Sequence, residues 1–184
     1  VTSGTANFNR NATNTMVVQN APGATILANG GVLRLDGKLD ERGGTVQANA
    51  GSRVEVLGAN NSSVAGTMWT TTGNGLIELG GFWGGTGGSD LLGIATGNVV
   101  IGEQLRAAGD FNINLDVTAA TGGTSAQAVA QTLGWHNAGI RTEGNTITLL
   151  TPVTYTGNNQ ELRDAGTLVN PAGQTFQIGR ASCR

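Results

Sequence analysis

The sequence predicts an all-β, parallel β-solenoid, and three observations carry that prediction. First, residues 25–37, 45–58 and 67–80 state nearly the same pattern three times, opening on Thr25, Thr45 and Thr67. The spacings are 20 and 22 residues (45−25 and 67−45), a period at which one repeat cannot bury its own apolar face and stacks on the next. Second, each copy ends in strict alternation: Leu33 and Leu35 about Arg34, Val54 and Val56 about Glu55, Ile77 and Leu79 about Glu78. A period of two is the mark of a half-buried strand. Third, the chain holds 31 glycines, 3 prolines and only 12% charged residues. That composition suits many short strands joined by tight turns, because glycine enters the positive-φ region freely. Glycine and β-branched residues form helices poorly. The regular aliphatic spacing argues against disorder.

The elements follow in order. Residues 1–24 are rich in Asn and Thr, with one strand at Met16-Val17-Val18 and a second at Ala6-Asn7-Phe8. This part is expected to be a cap or first rung. The three repeats come next. In a parallel stack, Arg34, Glu55 and Glu78 fall on neighbouring rungs about 4.8 Å apart. Arg34 beside Glu55 is favourable and Glu55 beside Glu78 is not; the expectation for all three is a solvated face. Leu91 to Ile94, Asn98 to Gly102 and Phe111 to Val117 continue as strands. From Thr121 the style changes. Thr124 or Ser125 caps a predicted helix from Ala126 to Leu133, stopped by Gly134. Ile140 to Thr142 and Thr146 to Leu150 flank Glu143-Gly144-Asn145, which reads as a hairpin loop. Short strands at Val153 to Tyr155, Leu162, Leu168-Val169 and Phe176 to Ile178 follow.

The expected organisation is thus a cap or first rung over 1–24, solenoid repeats over 25–120, a less regular β region with one short helix over 121–179, and a tail over 180–184. The competing fold is a β-sandwich or jelly-roll in an oligomeric virion protein.

The repeats at 25–37 and 45–58, and 67–80 with its Gly81-Phe82-Trp83-Gly84-Gly85 extension, resemble those of bacterial surface adhesins of the filamentous-haemagglutinin and autotransporter-passenger type. Residues 146–155 are similar in style. Together these cover about half of the chain. The resemblance implies a right-handed parallel solenoid exported to the cell surface. Phage fibres, tailspikes and capsid decoration proteins use the same materials.

Chemistry is sparse. With a net charge of −2 and a pI near 5.3, the chain has no basic footprint for nucleic acid. No apolar run approaches the roughly 20 residues that span a bilayer. Cys183 is the only cysteine and has no intrachain partner. His136 is the only histidine, with no nucleophile elbow or second ligand to make it catalytic or metal-binding. Asp36, Asp40 and Glu41 form the one acidic cluster, which hydrolysis would need on a single face; alternating Arg34, Lys38 and Arg42 make it read as a solvated turn. Residues 84–92 approach the calcium nonapeptide, but Asp90 arrives one residue late and no second copy exists. Thr70-Thr71-Thr72 forms no repeated ladder.

Phe82, Trp83 and Trp69 are the candidate glycan or partner contacts, because glycines around Phe82 and Trp83 would expose them. Trp69 occupies the place of Leu27 and Gln47 in its sister repeats. No catalytic, cofactor or metal site is expected. The functional expectation is a non-enzymatic extracellular structural or adhesion protein, presenting a rigid scaffold to a host-surface glycan or protein. The alternatives are a phage virion component, a stable trimer or an associate of capsid or tail proteins, and a polysaccharide-active β-helix enzyme.

Overall fold

A computed structural model describes residues 4–8, 16–85, 90–118, 133–136, 139–156 and 161–178. The chain climbs in coils. The first comprises β1 (Gly4–Phe8), β2 (Val17–Asn20) and β3 (Thr25–Ala28); the next comprises β4 (Gly31–Leu35), β5 (Lys38–Glu41) and β6 (Thr45–Ala48). Then come β7 (Arg53–Val56) with β8 (Met68–Thr71), β9 (Leu76–Trp83) with β10 (Leu91–Thr96), and β11 (Val99–Ala107) with β12 (Phe111–Thr118). Beyond them run β13 (Leu133–His136), β14 (Gly139–Arg141), β15 (Thr146–Leu149), β16 (Val153–Thr156), β17 (Glu161–Arg163), β18 (Thr167–Val169) and β19 (Phe176–Ile178).

Stacking the coils makes three sheets. One has ten strands along β1-β4-β7-β9-β11-β13-β16-β19, with β14 beside β11 and β17 beside β14; one has seven along β3-β6-β8-β10-β12-β15-β18; and β2 pairs with β5 alone. Every described ladder is parallel. The fold is therefore the predicted parallel β-solenoid. The sandwich or jelly-roll alternative is built from antiparallel strands and does not occur among the described strands.

The alternating aliphatics become interior columns. Leu33, Val54, Ile77 and Val99 stack in register, as do Leu35, Val56, Leu79 and Ile101, and all eight are buried. The opposite wall stacks Ile26, Val46, Trp69, Ala95 and Val117. At the corner where the chain leaves the ten-stranded sheet toward β5 and its equivalents, glycine is required. A β-carbon built on Gly58 would overlap the Gly37 carbonyl oxygen, and one built on Gly81, at φ 71°, would overlap the Gly58 carbonyl oxygen. Coils can lie at strand spacing here only without a side chain.

Three expectations change. Met68, not Thr67, is the partner of Thr45, so the third copy slips by one residue and Trp69 joins the inward column of Ile26 and Val46. Residues 143–145 form a corner, not a hairpin: β14 pairs with β11 and β17, whereas β15 pairs with β12 and β18. The predicted helix falls on residues 126–132, which lie outside the described residues; Leu133 and Gly134, its expected end and stop, lie in strand β13. Among the described residues there is no helix.

Candidate functional site

The three aromatics singled out as glycan or partner contacts do not form a surface platform. Trp69 and Trp83 are both 0% exposed. Their indole N–H groups donate to the Leu92 carbonyl at 3.1 Å and the Gly80 carbonyl at 2.9 Å. Of the glycines around Trp83, Gly81 and Gly85 lie against Gly58 and Asn60 on the preceding coil, and Gly84 lies against Gly109 on the next. Only Phe82 remains half-buried, with the Arg106 guanidinium 5.0 Å from its ring centre.

The acidic cluster does not share a face. Strand alternation sends Asp40 outward and Glu41 inward. Asp40 accepts from Arg42 at 2.7 Å, from Ser62 at 3.1 Å and from Gln19 at 3.1 Å. The Arg42 guanidinium holds its carboxyl below the usual range against the opposing effect of burial. Asp36 lies 3.9 Å from Arg34. His136 sits in β13, in register with Thr156. Among the described residues, no group of three His, Cys, Asp or Glu side chains gathers to hold a metal. In the calcium-like stretch, residues 86–89 lie outside the described residues, and both carboxylate oxygens of Asp90 accept from Asn112. Cys183 also lies outside them. No helix among the described residues is long and apolar enough to cross a membrane.

Two other places gather polar groups. Glu41 is 1% exposed in the solenoid interior. Its Oε2 accepts from the Asn20 amide at 3.1 Å, and Asn20 also donates to the Thr45 carbonyl at 3.0 Å. Glu41 Oε1 is buried without a partner. Burial pushes the carboxyl up to about 7; the Asn20 hydrogen bond opposes that shift and the Asp40 charge adds to it.

The second place is a cleft of about 230 Å3 lined by Asp90, Asp110, Phe111, Asn112, Thr146 and Thr148. It lies on the outer face of the seven-stranded sheet, where β10, β12 and β15 adjoin. Ser63, on the preceding coil, accepts from the Leu92 N–H at 2.7 Å and donates to the Leu92 carbonyl at 2.9 Å, fixing the chain beside Asp90. Asp90 in turn accepts from the Asn112 backbone N–H at 2.8 Å and from its side-chain amide at 3.1 Å. Asp110 Oδ1 accepts from the Thr146 N–H at 2.6 Å. Each carboxylate thus stands in for a backbone acceptor where the ladder starts, and its orientation is set by the next coil. The outward residues form a grid in which Asn112 adjoins Thr148.

Sequence reading singles out none of these residues for a shared site, although Asp90 enters through the calcium-like motif. The legible signal is an aspartate directly before an alternating strand, at 90 and again 20 residues later at 110 (110−90). What converges on the cleft depends on β15, some 36 residues from Asp110, and no local pattern announces that pairing. Comparison with protein-family models, with curated proteins and with solved structures finds no match.

Proposed function

We propose that this chain is a non-enzymatic extracellular scaffold that presents a rigid β-surface for attachment to a host-surface glycan or protein. The observation that supports it is the unbroken column registry from Leu33 to Val99 and from Leu35 to Ile101. Such registry makes each coil a template for the next and presents outward side chains at fixed intervals. Asp40 and Glu41 lie on the outer and inner faces of β5, and Asp36 lies before that strand, which disfavours two-carboxylate hydrolysis there. Resemblance to surface adhesins agrees with this reading.

The test is retention of the purified chain on intact cells and on immobilised glycans and surface proteins. Saturable retention without loss of the bound polymer is the expected result. Cleavage of a polysaccharide would overturn the non-enzymatic part. Assembly onto capsids or tails as a trimer, with no retention on cells, would replace attachment by the virion reading.

A further inference from the structure

We infer that the cleft between β10, β12 and β15 binds one ring of a neutral saccharide. This names a ligand class for the attachment surface and rests on that reading. At about 230 Å3 the cleft falls below the roughly 300–1,000 Å3 typical of drug-sized ligands, so it takes a single ring. Its outward side chains stand about 4.8 Å apart between coils and about 7 Å apart along a strand, the scale of one pyranose with its hydroxyls.

The hydrogen-bonding capacity left in the cleft is of a kind that sugars match. Asp110 Oδ1 is engaged by Thr146, while Oδ2 has no partner among the described residues. The Thr146 and Thr148 hydroxyls likewise have none there. A hydroxyl both donates and accepts, and a carboxylate oxygen only accepts; a sugar hydroxyl satisfies either. The Phe111 side chain is buried in the core on the inner face of β12, so the cleft is walled by the outward polar groups. Two carboxylates with no cation among the lining residues repel phosphate, sulfate and uronate groups. Both carboxylates already accept amide hydrogens, which offsets part of the attraction they would exert on an ammonium ion.

The experiment is amide chemical-shift titration of the full chain with methyl glycosides of glucose, galactose, mannose, rhamnose and N-acetylglucosamine. Methylammonium and calcium chloride serve as charged probes. The expected result is saturable shifts at Asp110, Asn112, Thr146 and Thr148 with at least one glycoside, at a Kd in the millimolar range. Thr148→Val and Asp110→Asn should each weaken that Kd at least fivefold, with thermal unfolding confirming that both variants fold. Absence of saturable shifts with every glycoside, shifts confined to residues around Phe82, or binding of methylammonium or calcium alone would overturn the inference. The attachment reading is judged separately. If Thr148→Val is retained on cells as well as the parent chain, the cleft assignment falls and attachment stands; if the parent is not retained, attachment falls and the titration still decides the cleft.

Discussion

Among the described residues, Glu41 is the one whose environment departs furthest from what its chemistry prefers. Its carboxyl titrates near 4.5 when exposed and near 7 in the fold. Between those values the folded chain keeps a proton that the unfolded chain has released. The stability associated with neutral Glu41 is therefore complete below about pH 4.5 and is lost as pH rises through about 7. The loss is at most about 3–4 kcal/mol, from about 1.4 kcal/mol per pKa unit between 4.5 and about 7. Asp40 acts in the opposite direction and below this window, since its carboxyl titrates below 3.8 in the fold. Urea unfolding between pH 5 and 8 should show stability falling with pH. Glu41→Gln should flatten that profile, stabilise the chain at pH 8 and change little at pH 5; a flat parent profile would refute the account. Gly58 offers a steric counterpart. Gly58→Ala sets a methyl against the Gly37 carbonyl and should cost about 2–4 kcal/mol in the same assay. Neither site is announced locally: Glu41 reads as one charge in a mixed-charge turn, and Gly58 as one turn glycine among many.

Strands were far more legible than corners. The alternation at Leu33-Arg34-Leu35, Val54-Glu55-Val56 and Ile77-Glu78-Leu79 placed three columns correctly, because burying one face fixes register. Two charges needed the structure. Glu55 does adjoin Glu78, yet Arg53 lies 3.0 Å from Glu55 and also pairs with Glu78, donating from Nε at 2.8 Å. Arg34 approaches Glu55 from the preceding coil at 3.1 Å. The expected solvated face is thus an ion-pair ladder across three strands. The corner at 143–145 misled for a physical reason: glycine between alternating runs signals a turn, and only pairing with distant strands distinguishes a hairpin from a change of sheet. Arg53→Gln should leave Glu55 and Glu78 facing one another and cost about 1–2 kcal/mol at low salt, since the arginine is partly exposed and screened. Adding Glu78→Gln should recover part of that loss. A double-mutant cycle with no coupling between 53 and 78 would remove the ladder as a stabilising element.

At the scale of the whole molecule, each coil touches only its neighbours, so stability should decline from the middle of the stack toward its ends. The interior supports that gradient. In β8 and β10 every second residue is buried, whereas β3 buries only Ala28 and β18 buries none of its three residues. Among the described strands, β3 pairs on one side with β6 and β18 on one side with β15. Phe8, Met16, Val17 and Leu27, four of the large apolar residues left exposed, all belong to the first coil. This gradient follows from the repeat itself and so was open to sequence reading, unlike the cleft, which needed β15 to be brought beside β12. Native-state hydrogen exchange should find the slowest amides in β8 to β11, with protection falling through β6 to β3 and through β15 to β18. Leu79→Ala, deleting a fully buried side chain from the central column, should lower global stability by about 2–5 kcal/mol and bring the central amides closer to those of the ends. Uniform protection along the stack, or slowest exchange in β3 or β18, would mean that the coils do not behave as a chain of nearest neighbours.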